Sequence, residues 1–181
     1  MKQRPNRASN RMRADRVRSA TPEDSAQLAR VHVDTWREAY RGIFPDDFLT
    51  SLDVDTRADW WASLLQSGAT VFVADVGEVV GFCSPGPAGD EGWGEIYSIY
   101  VLPGHWGSGL GHDLLEAGEA QLASLGFSRA LLWVFDANHR ARNFYEGHSW
   151  SLGKPLRIEE IAGVQVTEVR YEKDLGEPAR R

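Results

Sequence analysis

One stretch of the chain, residues 95–125, joins a strand pattern to a helix pattern through a turn rich in glycine. Glu95 to Leu102 (EIYSIYVL) is dominated by β-branched and aromatic residues, which is typical of a buried strand. Glycines follow at positions 107, 109 and 111, and leucines then recur at three- and four-residue steps, the period of an amphipathic helix. The pattern predicts a strand–loop–helix unit, and therefore a domain in which helices pack on a sheet.

The flanking sequence extends this unit into a mixed α/β domain. Thr21 and Pro22, followed by two acids, predict the start of a helix that ends before Gly42. A second helix is predicted over about 54–65. The further strands are predicted around Val17 and over 70–75, 78–84, 129–135 and 164–171, with a short helix from Asn138 through Tyr145.

Length and composition limit the architecture to one domain. A chain of 181 residues buries one sizeable core, and there is no repeat and no long linker. Cys83 is the only cysteine, which excludes an internal disulfide and a cysteine-built zinc site. The five histidines lack metal-ligand spacing, so we predict no metal. With no signal sequence or membrane span in the pattern, we expect a cytoplasmic protein.

Charge divides the chain unevenly. The first 18 residues hold seven of the 20 basic side chains and one of the 26 acidic ones, leaving 13 basic and 25 acidic residues for the rest. An acidic body argues against nucleic acid as its partner and favours a cationic small substrate. We interpret residues 1–15 as a basic, disordered leader, 16–175 as the domain and 176–181 as a tail. An arm that binds nucleic acid or a membrane surface is the alternative for the leader.

The glycine-rich turn is a candidate anion site. Glycines between a strand and a helix let backbone N–H groups converge at the helix N-terminus, where the helix dipole favours a phosphate. A turn that merely starts the helix is the alternative. His112 and Asp113 follow Gly111, so the Lys-Ser/Thr pair of a nucleoside-triphosphate loop is missing. The same His112 replaces the third glycine of a dinucleotide fingerprint.

At this point the sequence resembles a known family. Trp106 to Gly111 (WGSGLG) is similar to the acyl-CoA signature of the GNAT superfamily of N-acetyltransferases, Gln/Arg-x-x-Gly-x-Gly/Ala. Trp106 departs from it, because the family prefers Gln or Arg there. Residues 132–150 are similar to the family's strand, Asn, helix and Phe-Tyr-Glu segment, and the resemblance covers about 16–175.

The resemblance implies a fold and a cofactor site. It implies a mixed, mostly antiparallel twisted sheet flanked by helices, in which the fourth and fifth strands splay apart to hold acyl-CoA. The pantetheine arm would pair with the backbone of 99–101, and the pyrophosphate would lie on the amides of 106–111. The implied cofactor-binding residues are Ile99, Tyr100, Val101, Trp106, Gly107, Ser108, Gly109, Leu110, Gly111, Asn138, Ala141, Phe144 and Tyr145.

Several of these residues also have purely structural explanations. Asn138 is a natural helix N-cap, and Tyr145 is an aromatic residue beside another on a helix. The resemblance adds contact with the pantetheine for Asn138 and donation to the departing thiolate for Tyr145. Arg140 and Arg142 could meet the cofactor's phosphates or form a solvated charged face.

Fewer sequence features indicate which residues bind and deprotonate the acceptor amine. Transfer to an amine needs a base, since an alkylamine is mostly protonated at neutral pH. Glu95 matches the family's catalytic glutamate in its offset from Gly109, although a strand-end carboxylate is equally ordinary. By alternation Tyr97 shares the face of Glu95, which makes it a further candidate for binding the acceptor, and Ser98 lies on the opposite face. Trp36 and Tyr40 are candidates for an acceptor wall or for plain helix packing.

Taken together, the sequence predicts an N-acetyltransferase that moves an acetyl group from acetyl-CoA to a primary amine by direct attack in a ternary complex. The acceptor would be a small molecule or a peptide, with no nucleic-acid or membrane partner. The alternative is a noncatalytic acyl-CoA-binding regulatory module. The resemblance also implies a homodimer.

Overall fold

The computed structural model describes residues 16–176. The predicted leader, residues 1–15, and residues 177–181 of the predicted tail lie outside the described residues. The helices are α1 Ser25–Ala39, α2 Asp46–Ser51, α3 Val54–Gln66, α4 Leu110–Ser124 and α5 His139–Gly147, with 3-10 turns at Pro22–Asp24 and Pro103–His105. The strands are β1 Val17–Ser19, β2 Phe72–Asp75, β3 Val79–Pro87, β4 Gly94–Val101, β5 Arg129–Phe135, β6 Ser151–Ile161 and β7 Val164–Asp174.

The strands form a single seven-stranded sheet in the order β1-β2-β3-β4-β5-β7-β6. Every neighbouring pair is antiparallel except β4 and β5. The parallel pair encloses α4 as its crossover, because parallel strands need a connection long enough to return the chain. The predicted fold class is therefore confirmed.

The two central strands separate soon after they meet. Pairing between β4 and β5 is confined to Gly94 with Ala130 and Glu95 with Leu131. Beyond these residues β4 continues along β3 to Val101, while β5 continues along β7 to Phe135. The splay opens a cleft between them, with backbone groups along its edge.

Helices cover both faces of the sheet and build separate cores. On one face α4 packs on β3, β4 and β5, with Leu114, Leu115 and Leu122 fully buried. On the other face α1 and α3 pack on β2 and β3 around Trp61 and Phe82. In the part of the chain that is described, no helix is long and apolar enough to cross a membrane.

The edge strand β6 was not predicted. Its sequence contains Gly153 and Pro155 and many charges, and most of its residues are exposed. Its pairing with β7 shifts register between Leu152 and Leu156. Proline is tolerated on an edge strand and at a register shift. Because most side chains of β6 are exposed, the sequence shows no alternation of apolar and polar residues that would mark the strand. The short helix α2 was also missed.

Gly118 on α4 offers a test of this packing. A Cβ there would lie 2.8 Å from Cys83 Sγ and 2.9 Å from Ile96 Cδ1. Overpacking costs about 1–3 kcal/mol, and better helix propensity returns about 1 kcal/mol. We expect Gly118→Ala to lower the free energy of unfolding in urea by up to about 2 kcal/mol. Gly147→Ala, where the new methyl meets open space, is the control. A Gly118→Ala variant as stable as Gly147→Ala would contradict this packing.

Candidate functional site

A cavity of about 590 Å³ occupies the cleft between β4 and β5. Its walls come from α1, β4, the glycine-rich loop, β5, α5 and the C-terminal hairpin. The predicted site residues that line it are Trp36, Tyr40, Tyr97, Ile99, Tyr100, Val101, Trp106, Gly107, Gly109, Gly111, Asn138, Ala141, Phe144 and Tyr145. Glu95, Ser108 and Leu110 are not among the lining residues.

The glycine-rich loop has a backbone that only glycine adopts readily. Gly107 and Gly109 have φ values of 78° and 87°, in the left-handed region. Gly109 is the N-cap of α4, so the first N–H groups of the helix have no partner within it. The side chain of Leu110 is buried in the core, and Ser108 Oγ donates to the His105 carbonyl at 2.6 Å. The backbone amides are therefore what this loop offers an anion.

Trp106 ties the loop to the strand before it. Its indole Nε1 donates to the Val101 carbonyl at 2.7 Å, and its ring lines the cavity. The guanidinium carbon of Arg140 lies 3.0 Å from the centre of that ring. A cation thus stacks on the residue that replaces the signature's Gln or Arg.

The splayed edge of β4 carries backbone groups that point into the cleft. Leu102 N donates to Val80 O at 2.8 Å, and Tyr100 lies opposite Phe82. Because hydrogen-bonded and non-hydrogen-bonded positions alternate, Tyr100 uses its backbone groups on β3, while Ile99 and Val101 turn theirs to the open side. The Val101 carbonyl already accepts the indole N–H of Trp106.

Helix α5 presents one face to the cavity. Asn138 caps it, since Asn138 Oδ1 accepts the Ala141 N–H at 3.1 Å, and Asn138 also lines the cavity. Ala141, Phe144 and Tyr145 follow at three- and four-residue steps and lie on the same side. The capping role and a cavity-lining position therefore coexist at Asn138.

Tyr145 is 7% exposed, and its side chain reaches the cavity. Burial raises the pKa of its phenol well above the ordinary value, and Tyr100 and Cys83 add to the effect. The group is thus a neutral hydroxyl throughout the physiological range. Since no described residue hydrogen-bonds this hydroxyl, it is available as a donor within the cleft.

The two arginines of α5 differ in their surroundings. Arg140 lines the cavity and has no salt bridge among the described residues, and burial lowers the pKa of its guanidinium. Arg142 instead forms an ion pair with Asp136 and donates from Nε to the Tyr171 hydroxyl at 3.2 Å. Arg140 is therefore the one of the two that faces the cleft.

Glu95 lies at the point where β4 and β5 part. Its side chain is half-buried, and burial raises the pKa of its carboxyl, with Arg157 opposing the shift. No described group hydrogen-bonds the carboxylate. Glu95 stands beside the cavity rather than in its lining, an arrangement that suits contact through water.

A bulge in β4 changes which side chains share the face of Glu95. Pairing with β3 shifts between Ile96 and Ser98, so Tyr97 is an extra residue. Ser98 pairs with Ser84 of β3, and its side chain lies on the same face as that of Tyr100. Because Tyr97 is the extra residue, Ser98 shares the face of Glu95. The prediction that Ser98 lies on the face opposite Glu95 is therefore wrong. Tyr97 is exposed, and its hydroxyl donates to the Pro87 carbonyl.

The predicted acceptor wall forms a connected group on α1 and β4. Trp36 Nε1 donates to the Tyr100 hydroxyl at 3.0 Å, and the hydroxyls of Tyr40 and Tyr100 are 3.2 Å apart. Tyr40 also packs edge-on against Phe135, with ring centroids 5.1 Å apart. These side chains therefore combine packing with a place in the cavity wall.

Sequence reasoning missed the contributions of β5 and the C-terminal hairpin. Trp133, Phe135, Ile161 and Glu168 all line the cavity. Alternation along β5 could have indicated the two aromatic residues, since Leu132 and Val134 belong to the other face. No local signal marks Glu168, because its position depends on how β7 registers against β5.

Among residues 16–176 we find no group of three or more His, Cys, Asp and Glu side chains placed to hold a metal ion.

Comparison with known proteins identifies the family. A model of the Acetyltransferase (GNAT) family matches residues 33–149. The uncharacterized N-acetyltransferase YuaI of Bacillus subtilis (strain 168) is 39% identical over 160 residues, covering 84% of this chain and 89% of the relative.

Two solved structures establish the fold independently. The PaiA N-acetyltransferase from Thermoplasma acidophilum, in complex with coenzyme A, has a TM-score of 0.67 at 19% identity, covering 87% of this chain and 97% of that one. YncA from Salmonella typhimurium, solved with its cofactor acetyl-CoA, has a TM-score of 0.67 at 21% identity, covering 91% and 96%. Together with the family match and the curated relative, they show that the chain belongs to the GNAT family and is an acetyl-CoA-dependent acyltransferase.

Proposed function

We propose that the cleft between β4 and β5 binds acetyl-CoA and transfers its acetyl group to a primary amine in a ternary complex. The observation that carries the proposal is that one cavity collects the amides at the start of α4, the open edge of β4 and the Tyr145 hydroxyl. The amides would bind an anion, the strand edge would pair with amide groups of a ligand, and the hydroxyl would donate a proton.

The residues present fit an acyl-CoA. The positive φ angles of Gly107 and Gly109 leave room for a phosphate against the backbone amides. Groups of Ile99 and Val101 that face the opening can pair with the two amides of a pantetheine arm, as an added strand would. Asn138 and Phe144 close the other side of the arm. When bound, acetyl-CoA supplies the thioester that is attacked.

The chain's own residues then handle two protons. Glu95 takes a proton from the acceptor ammonium, through water, so that the nitrogen has a lone pair for attack. The new C–N bond forms as the C–S bond breaks, the Tyr145 hydroxyl gives its proton to the departing sulfur, and the second proton lost from the nitrogen returns to Tyr145. Charge thus does not accumulate on the leaving group.

An acetylated cysteine plays no part in this scheme. Cys83 is the only cysteine, and it is fully buried against α4 and does not line the cavity. Burial also raises the pKa of its thiol, which keeps it from acting as a thiolate nucleophile. Direct attack by the amine is the chemistry that these residues support.

Titration calorimetry with acetyl-CoA and CoA, followed by a thiol-release assay over a panel of amines, tests the proposal. We expect micromolar binding and release of CoA that depends on the amine. Binding without release from any small-molecule or peptide amine would favour the regulatory-module alternative, and absence of binding would contradict the proposal.

Arg140→Gln probes the phosphate end of the cleft. Removing the guanidinium over Trp106 is expected to weaken acetyl-CoA binding about tenfold, the effect of one charge-assisted hydrogen bond. Binding of acetyl-pantetheine, which lacks the nucleotide phosphates, should not change. Calorimetry measures both ligands, with Arg142→Gln as the control for loss of a positive charge on the same helix. Equal acetyl-CoA affinity in Arg140→Gln and the wild type would remove Arg140 from the cofactor site.

A further inference from the structure

The charged side chains that line the cavity are of opposite sign. Around the glycine-rich loop it is lined by the cationic Arg140 and by the imidazoles of His105 and His112. On the wall formed by β5 and the C-terminal hairpin, Glu168 is the only acidic side chain that lines the cavity among the described residues. A ligand that fills the whole cleft is therefore expected to be anionic at the loop and cationic at Glu168.

Two neighbouring strands and an ion pair fix the position of Glu168 on this wall of the cavity. It lies on β7 between Phe135 of β5 and Arg157 of β6, which are its cross-strand partners. Its side chain is only 12% exposed. Arg157 Nε donates to Oε2 of Glu168, and no described group donates to Oε1. One carboxylate oxygen thus remains for a ligand.

The same corner already binds a cation from the chain itself. The guanidinium carbon of Arg157 lies 4.3 Å from the centre of the Trp133 ring while its Nε bonds Glu168. An aromatic face beside a carboxylate stabilises an organic cation by cation–π attraction and ion pairing together. Trp36 and Tyr40 complete the aromatic wall across the cavity.

From this geometry we propose that the acceptor is an amine with a second, non-reacting cationic group, which is held by Glu168 and the surrounding aromatic rings. The inference rests on the proposed function and names the substrate class of the same site. A carboxylate stabilises the charged form of an ammonium, so Glu168 suits the group that stays protonated. The reacting nitrogen must instead be neutral and lie near Tyr145.

Three linear amines with the same number of carbon atoms test whether the acceptor site prefers a second cationic group, no second charge or a second anionic group. They are 1,5-diaminopentane, pentylamine and 5-aminopentanoate, compared by kcat/KM in the thiol-release assay. The wild type is expected to prefer the diamine to the monoamine by about tenfold or more at low salt, with the preference falling as salt rises. The amino acid, which places a carboxylate near Glu168, is expected to be the poorest.

Glu168→Gln is expected to abolish the preference for the diamine, measured as the ratio of the two kcat/KM values within the variant, while the affinity for acetyl-CoA stays as in the wild type. The control is Glu159→Gln, because Glu159 also faces Arg157 Nε, at 3.5 Å, but does not line the cavity. If Glu168→Gln does not fold, the preference of the wild type for the diamine over pentylamine, and its dependence on salt, still test whether the site binds a second cationic group.

A diamine preference that survives in Glu168→Gln, no preference in the wild type, or preference for 5-aminopentanoate through Arg157 would each overturn this inference and leave the proposed function intact. Absence of thiol release with any amine would instead contradict the proposed function.

Discussion

Tyr145→Phe is expected to lower kcat by about 100-fold or more, the usual contribution of a positioned proton donor, while the Kd for acetyl-CoA stays within about twofold of the wild type. The phenol is buried and neutral, and its ring packs beside Trp150 and Tyr171. Removing only the oxygen preserves that packing. The change therefore deletes an interaction made when negative charge develops on the sulfur.

Kinetics and calorimetry on the same preparation separate this role from a packing role. Tyr171→Phe is the matched control, because Tyr171 is also a buried tyrosine, its hydroxyl donates to Glu146, and it does not line the cavity. We expect the control to keep its kcat. A Tyr145→Phe variant with kcat within a few fold of the wild type would show that another group protonates the thiolate.

Glu95→Gln is expected to lower kcat/KM by about 100-fold or more at neutral pH and to change the pH profile. The carboxylate must be ionised to accept a proton, so the activity of the wild type falls as the pH drops through the pKa of Glu95. Burial and the nearby acids Asp90 and Glu168 raise that pKa, while Arg157 and Arg170 lower it, and the raised value prevails. The acidic limb should therefore lie above the ordinary range of a glutamate.

In Glu95→Gln this acidic limb should disappear, because no group at position 95 titrates. The measurement is kcat/KM as a function of pH for the wild type and for each variant. Glu91→Gln, an exposed carboxylate in the loop before β4, is the control and should keep both rate and profile. Retention of the acidic limb in Glu95→Gln would assign the base to another carboxylate.

The parts of the site that the sequence predicted are those set by local chemistry. The left-handed backbone at Gly107 and Gly109 favours glycine, and the helix cap at Asn138 favours a short polar side chain. Both features can therefore be predicted from the residue types. The strand–loop–helix unit follows from a change of hydrophobic period. The splay of β4 and β5, by contrast, was implied by the resemblance.

What could not be predicted depends on register between distant strands. Ser98 reaches the face of Tyr100 because Tyr97 is a bulge, and a bulge is invisible to strict alternation. Glu168 reaches the cavity because β7 inserts between β5 and β6. The edge strand β6 lacks a buried side, so hydrophobic patterning does not reveal it. The homodimer that the resemblance implies stays a prediction.

Trp106 shows how a departure from a family signature is accommodated. The family's Gln or Arg is replaced by a ring that anchors the loop through Val101 and supports the guanidinium of Arg140. The charge thus comes from α5 rather than from the loop. This arrangement explains why the replacement need not remove affinity for an anionic cofactor.

The most direct test of the account is a single turnover with the purified enzyme and a stoichiometric amount of acetyl-CoA. Intact-protein mass spectrometry and thiol detection would follow it before and after an amine is added. We predict an unmodified chain and no free CoA until the amine is present, and then equal amounts of CoA and acetylated amine. An acetylated chain that forms before the amine is added and then passes its acetyl group on would contradict direct transfer in this cleft.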